Sequence, residues 1–167
     1  MPTESQVPRT KRDGLITVSD AGGANEWTAP CDVGDFNYAS PGHSILRILK
    51  RGEHATPRRQ DAQVTSLGFS ITLTDIGDPT NTYATLPDIC EREREGTFVN
   101  STWTSTFGDT SDVFGTDVNY TIDGSAFGEA DKDLLFDDMS LRGNFAEGDP
   151  STYSCTGEAS ILAPVIS

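Results

Sequence analysis

Residues capable of catalysis occur along the sequence without the spacing that known catalytic sites require. The two histidines, His43 and His54, lie in segments rich in glycine and proline, where a lone histidine is more often a solvated turn residue than a base or a ligand. No HExxH, GxSxG or phosphate-binding glycine loop occurs. The 26 acidic residues supply many carboxylate pairs, so their number does not distinguish a glycosidase from any other acidic protein. We therefore expect neither an enzyme nor a cofactor.

One acidic run has side-chain oxygens of the kind that bind calcium. It contains Asp123, Ser125, Glu129, Asp131 and Asp133. Because this run lacks the ligand order of an EF-hand, an acidic turn is the favoured interpretation and no metal site is predicted.

The three cysteines, Cys31, Cys90 and Cys155, are far apart and show no CxxC or metal-type spacing. One disulfide is possible from their number. Three buried, reduced thiols are the favoured interpretation for an intracellular product.

Charge divides the chain of 167 residues into two parts. Residues 1–60 carry 8 Lys/Arg against 7 Asp/Glu, whereas residues 61–167 carry 4 against 19. A body this acidic does not suit a surface that binds nucleic acid, because phosphate binding needs concentrated Lys and Arg. Two interpretations stay open, namely solubility in high salt and a surface that repels a polyanion. No stretch approaches the ~20 apolar residues of a membrane span, so no membrane partner is expected.

Alternating apolar and polar residues predict about seven strands between turns rich in glycine, proline and aspartate. The strands are expected at 14–20, 44–51, 61–75, 97–106, 116–123, 133–145 and 152–161. Residues 52–60 are expected to form a hairpin tip. The polar side chains of these strands are mostly threonine, serine and aspartate. The apolar side chains expected in the core include Leu67, Phe69, Ile71, Val99, Trp103, Val118, Tyr120, Ile122, Leu135, Met139, Leu141, Phe145, Tyr153, Cys155 and Ala159.

A single short helix is predicted over LPDICERERE, with Thr85 as its cap, Pro87 in its first turn and Gly96 as its stop. The whole pattern is mainly β. It predicts an antiparallel β-sandwich or open barrel with one flanking helix. Residues 1–12 would form an N-terminal arm, and residues 13–167 a single domain with a long loop at 21–42.

The order of these segments resembles that of the major tail tube proteins of long-tailed viruses of bacteria and archaea. The resemblance is one of pattern and extends over about residues 13–160. It depends on the opening strand DGLITVSD, the hairpin SILRILKRGEHATPRR, the amphipathic strand VTSLGFSITLTD and a closing stretch that runs into FAEGDPSTYS.

The resemblance implies a structural virion protein of the tail, assembled in the host cytoplasm. Such subunits form hexameric rings that stack into a hollow tube, and DNA passes through its lumen without specific binding. The implied partners are further copies of the chain and other tail proteins. The Asp-rich, Lys-poor composition further points to a virus of a salt-loving host.

Two sets of residues are candidates for roles in such a tube. Because buried aromatics commonly anchor interfaces, the subunit-contact candidates in the long loop are Trp27, Phe36 and Tyr38. The apolar strand faces are needed for the core, so the polar faces are left for the lumen. The lumen candidates are Asp75, Asp117 and Asp123.

Three other classes of function stay open. The first is another tail or head–tail connector component. The second is a surface- or carbohydrate-binding β-sandwich module, which would need exposed aromatics, and the candidates for it are Trp27, Phe36, Tyr38 and Trp103. The third is a small hydrolase that uses carboxylates.

Overall fold

The computed structural model describes residues 14–30, 36–40, 45–50, 53–59, 64–73, 84–95, 103–107, 113–125, 128, 130–159 and 165–166. Its elements are β1 (Gly14–Ser19), β2 (Glu26–Pro30), β3 (Asn37–Ala39), β4 (Ile45–Lys50), β5 (Glu53–Arg59), β6 (Ser66–Thr72), α1 (Leu86–Glu95), β7 (Thr116–Ile122), β8 (Lys132–Ala146), β9 (Thr152–Ala159) and β10 (Val165–Ile166). The mainly β class with one short helix is confirmed. The arm predicted over 1–12 lies outside the described residues.

Most of the strands form one antiparallel sheet in the order β2-β1-β7-β8-β9-β6-β3, and β10 adds to β8. The strands β4 and β5 form a separate two-stranded sheet, which we call the ribbon. The ribbon segment, 45–59, contains five Lys/Arg and one acidic residue. The ribbon is therefore basic, whereas the chain as a whole carries a net charge of −14.

The 15-residue strand β8 connects the two halves of the sheet. Its first part pairs with β7, and its last part, from Met139 to Ala146, pairs with β9. The pairing with β7 is interrupted by a β-bulge, where Asp137 and Asp138 together lie opposite Asp117. Asp138 has a positive φ of 56°, a conformation that aspartate tolerates better than most residues.

The sheet curls towards its core side. Three strand spacings separate β3 from β8, which is about 14 Å in a flat sheet. The ring centroids of Tyr38 and Phe136 are nevertheless only 5.5 Å apart. Phe36, which precedes β3, stacks on Tyr120 of β7 with a centroid distance of 4.1 Å. The curl brings the edge strand β3 back over the core, while the hydrogen-bonded path of the described strands stays open from β2 to β3.

Buried side chains from the sheet and from α1 form one core. Residues from six elements and one loop contribute to it: Ile16, Val18, Leu67, Phe69, Ile71, Leu86, Ile89, Cys90, Trp103, Val118, Phe136, Met139, Leu141, Tyr153, Cys155 and Ala159. The helix begins at the predicted position. Thr85 and Asp88 form a capping box in which the Asp88 amide donates to Thr85 Oγ1 (3.4 Å) and the Thr85 amide donates to Asp88 Oδ2 (3.0 Å).

Three sequence predictions are wrong. Residues 103–106, expected to end a strand, are not a strand, although Trp103 is buried as predicted. Residues 53–59 are strand β5 and not a hairpin tip, which also places His54 in a strand.

The third error concerns β8, whose core residues were misassigned. Phe145 is 49% exposed and Leu135 is half-buried, whereas Phe136 is in the core. The bulge at Asp137 and Asp138 inserts an extra residue, and this shifts the alternation between Leu135 and Met139.

Candidate functional site

The side of the sheet opposite the core is mainly polar, with Leu15 and Leu135 as apolar exceptions, and we call it the polar face. It arises because successive strand residues point to opposite sides, and directly paired residues share a side. On β6, for example, Leu67, Phe69 and Ile71 are buried, while Ser66 and Ser70 face outwards. The polar face has two halves of different composition, which meet along β8.

The acidic half consists of the outward residues of β2, β1, β7 and the first part of β8. Five carboxylates belong to it: Glu26, Asp117, Asp133, Asp137 and Asp138. Asp133 accepts hydrogen bonds from Thr121 Oγ1 and, at 3.4 Å, from Asn119 Nδ2 on the neighbouring strand. These bonds hold the Asp133 carboxylate in place on the face.

Three of these carboxylates are crowded at the bulge. The Asp138 amide donates to Asp117 Oδ1 at 3.0 Å, so the half-buried Asp117 side chain closes the bulge. Burial raises the pKa of Asp117 above its ordinary value of 3.8. The hydrogen bond from Asp138 opposes this rise in pKa, and the charges of Asp137, Asp138 and Asp20 add to it. Burial and the neighbouring carboxylates thus disfavour the ionised form of Asp117 at the bulge.

Asp20, in the turn after β1, is the opposite case. Its residue is buried, and its carboxylate accepts bonds from the Ala24 amide (3.0 Å), from the Asn25 amide (3.3 Å) and from Asn25 Nδ2 (2.8 Å). It also accepts from the amide and the hydroxyl of Thr104, at 3.3 and 3.2 Å. Burial alone would raise the pKa of Asp20, but these donors outweigh it and hold the pKa below 3.8. Asp20 therefore fastens the β1–β2 turn to the segment that follows Trp103.

The hydroxyl half consists of the outward residues of the last part of β8, β9, β6 and β3. Its members are mainly small and neutral: Asn37, Ser66, Ser70, Thr72, Ser140, Asn144, Thr152, Ser154 and Thr156. Ser70 and Ser154, directly opposite each other, are hydrogen-bonded at 3.1 Å. One cation, Arg142, and one anion, Glu158, also lie on this half, so its net charge is close to zero.

A groove of about 370 Å³ lies on the hydroxyl half. Its polar lining includes Asn37, Ser140, Arg142, Thr156 and Glu158. Arg142 and Glu158 could contact a polar ligand, and the described lining residues include no cysteine or histidine to act with the hydroxyls as nucleophile and base.

Within the acidic run at 123–133, Glu129 lies outside the described residues and Asp133 belongs to β8. Asp123 accepts from the Ser125 amide at 2.7 Å, and Asp131 accepts from the Gly124 amide at 2.9 Å. Among the described residues, no group of three or more His, Cys, Asp or Glu side chains is arranged to hold a metal ion.

The predicted lumen candidates fall in different places. Asp117 lies on the polar face, in the acidic half. Asp123 is exposed in the turn just beyond the end of β7, and Asp75 lies outside the described residues.

The predicted subunit-contact aromatics all lie on the core side of the sheet. Trp27 and Phe36 are partly buried against the core, and Tyr38 contacts Phe136 while remaining 45% exposed. Of the three, Tyr38 therefore keeps the most surface for a second subunit.

Sequence reasoning missed Asp137, and it assigned Asp133 only to a calcium-like run. Both belong to the acidic half. The signal that could have found Asp137 is the pair of aspartates between Phe136 and Met139, because two adjacent polar residues in an amphipathic strand are typical of a bulge.

Comparison of the chain with protein-family models, with curated proteins and with solved structures found no match. No described helix is long and apolar enough to cross a membrane.

Proposed function

We propose that the chain is a structural virion protein, the major subunit of a viral tail tube, which forms stacked hexameric rings around a channel for DNA. The observation that carries the proposal is the polar face, a continuous sheet surface of hydroxyls, amides and carboxylates. The cation on this face, Arg142, lies with the anion Glu158, so a channel wall of this kind has little net positive charge with which to bind DNA. In the acidic half it also repels phosphate.

Charge segregation supports assembly from identical copies. The ribbon segment carries five Lys/Arg in 15 residues, whereas the sheet carries the carboxylates of the acidic half. A basic element and an acidic surface on the same chain are complementary between copies, and such complementarity favours encounter and fixes register.

The open edges of the sheet also favour assembly. The strands β2 and β3 are the two ends of the hydrogen-bonded path, and exposed edges invite pairing with another chain. Closing the path between copies in a ring would remove both edges.

The position of the aromatics disfavours the carbohydrate-binding alternative. Trp27, Phe36 and Tyr38 lie on the core side, and Trp103 is only 6% exposed. A sugar-binding sheet would instead need aromatic rings displayed together on its solvent face.

Assembly is tested directly with the purified chain. We expect electron microscopy and mass measurement to show rings and hollow tubes, with assembly increasing with protein concentration. A monomer at all concentrations, in both low and high salt, would refute the tail tube.

The channel wall is tested by introducing a cation on the polar face. Asp137→Lys changes an exposed residue of the acidic half, and assembly would repeat the new lysine in every copy. We expect tubes to form but to retain short duplex DNA at least about tenfold more strongly in low salt, with the retention lost as salt rises. Glu147→Lys is the matched control, because Glu147 is exposed and lies beyond the end of β8. Equal retention by both variants would show that the acidic half does not face the channel.

A further inference from the structure

Two thiols lie in contact where the helix α1 packs on the sheet. Cys90 Sγ lies 3.6 Å from Cys155 Sγ of β9, and the two residues are only 4% and 1% exposed. On β9, Cys155 lies directly between Phe69 of β6 and Gly143 of β8. The pair therefore lies within the core, on the side of the sheet opposite the hydroxyl half.

We infer that Cys90 and Cys155 are an oxidation site, at which a disulfide fastens α1 to β9. A disulfide has an S–S distance of about 2.05 Å, so the sulfurs must approach by about 1.5 Å from their separation of 3.6 Å.

Glutathione disulfide is a sufficient oxidant for this bond. The thiolate of one cysteine attacks a sulfur of glutathione disulfide, forms a mixed disulfide and releases one glutathione thiolate. The second cysteine then attacks the protein sulfur of the mixed disulfide and releases the second glutathione. The two protein thiols are oxidised, one glutathione disulfide is reduced, and the two thiol protons end on the two glutathione molecules.

The fold itself controls the rate of this reaction. The hydrogen bond with Cys90, burial and the charge of Cys90 all raise the pKa of Cys155 well above its ordinary value, so the attacking thiolate is rare in the folded chain. Glutathione is also too large to reach a residue that is 1% exposed. Oxidation therefore proceeds during folding or through opening of α1, and the finished disulfide is protected from reductants in the same way.

The disulfide stabilises the chain because it joins residues that are 65 positions apart. Closing a loop of this length restricts the unfolded chain. We expect it to raise the unfolding midpoint by about 10 °C.

The test uses the full chain, refolded from urea in a buffer of glutathione and glutathione disulfide, beside a folded sample placed in the same buffer. We expect alkylation of the unfolded products to show the loss of two thiols. Non-reducing peptide mapping is expected to place the link between Cys90 and Cys155. We expect this disulfide to form at least about tenfold faster in the refolding sample than in the folded sample. Cys31→Ala is the matched control and is expected to oxidise and gain stability as the wild type does. Cys90→Ala is expected to show the same midpoint in oxidising and reducing buffer.

Three results would overturn the inference. They are a link that involves Cys31, two free thiols at positions 90 and 155 after oxidative refolding, and a 90–155 disulfide that leaves the midpoint unchanged or lowers it. Mapping of the wild-type chain decides the site even where an alanine variant does not fold.

Discussion

The acidic half and the hydroxyl half share strand β8 and differ in what stabilises them. In the acidic half and in the β1–β2 turn beside it, carboxylates accept hydrogen bonds from neighbouring segments, as Asp133 and Asp20 respectively do. In the hydroxyl half, the core side of the same strands depends on glycines against which large side chains pack. A Cβ on Gly143 would lie 1.7 Å from the Tyr153 hydroxyl oxygen, and one on Gly157 would lie 2.7 Å from Leu141 Cδ2.

The two halves look alike in their polar surface pattern, but we expect their stability to respond to different kinds of substitution. The acidic half should respond mainly to changes of charge and of hydrogen bonding, because its carboxylates bear the cost of burial. The hydroxyl half should respond mainly to changes of side-chain size, because its core is closely packed.

The largest effect on stability is expected from Gly143→Ala. The added methyl group would displace the ring of Tyr153, which is only 4% exposed and has little room to move. We expect a loss of about 3 kcal/mol in the free energy of unfolding, measured by urea denaturation.

Two further glycine-to-alanine variants serve as controls for the loss of stability expected from Gly143→Ala. Gly22→Ala adds a methyl group with nothing within 4 Å and should change stability by less than about 0.5 kcal/mol. Gly14→Ala would meet Tyr120 on the core side of the strands that carry the acidic half, but Tyr120 is only half-buried, so an intermediate loss is expected. A loss at Gly14 equal to that at Gly143 would contradict the proposed difference between the halves.

The second effect is expected from Asp20→Ala, in the β1–β2 turn beside the acidic half. Removal of the carboxylate leaves the amides of Ala24 and Thr104 without their acceptor, and we expect a loss of about 2 kcal/mol at neutral pH. Glu147→Ala, at an exposed position, should change stability by less than about 0.5 kcal/mol.

The pH dependence gives Asp20→Ala a distinct signature. The pKa of Asp20 is lower in the folded chain than its ordinary value of 3.8, so its stabilising contribution is complete above that value. The contribution is lost as pH falls through the folded pKa. The difference between wild type and Asp20→Ala should therefore shrink in acid, and a difference that stays constant from pH 7 to acid would refute the assignment.

Elements whose apolar and polar residues follow one period could be predicted from the sequence. The helix, Leu86–Glu95, has a capping signal at Thr85 and Asp88 and was predicted with the correct bounds. In β6, strict alternation identified the buried set of Leu67, Phe69 and Ile71.

Features that depend on irregular or distant contacts could not be predicted in this way. The bulge changes the period inside β8, so the sequence pattern misplaced Leu135. Phe145 pairs with Tyr153 on the core side, but it is exposed because it lies near the end of β8. The role of Asp20 depends on Thr104, 84 positions away, and nothing local in the sequence indicates that contact. Of the carboxylates in the acidic half, the sequence therefore placed Asp117 on a polar strand face, while it did not predict the arrangement around the bulge.

The smallest effect, and the one of opposite sign, is expected from Asp117→Asn at the bulge. Asparagine keeps an oxygen to accept from the Asp138 amide, while it removes a charge that is half-buried beside Asp137 and Asp138. Because the pKa of Asp117 is raised in the folded chain, its ionised form disfavours folding, and this penalty is present above the folded pKa. We expect Asp117→Asn to stabilise the chain by about 0.5 kcal/mol at pH 7, as measured by urea denaturation.

The advantage of Asp117→Asn should disappear as pH falls and Asp117 becomes protonated in the folded chain, because the protonated acid and the amide are then both neutral. Glu147→Gln, which removes one exposed charge away from the bulge, is the control and should leave the free energy of unfolding nearly unchanged. A destabilised Asp117→Asn variant would mean that the Asp138 amide requires a charged acceptor. In that case the bulge would be held by its carboxylate, as the turn at Asp20 is, and the contrast between the two aspartates would fail.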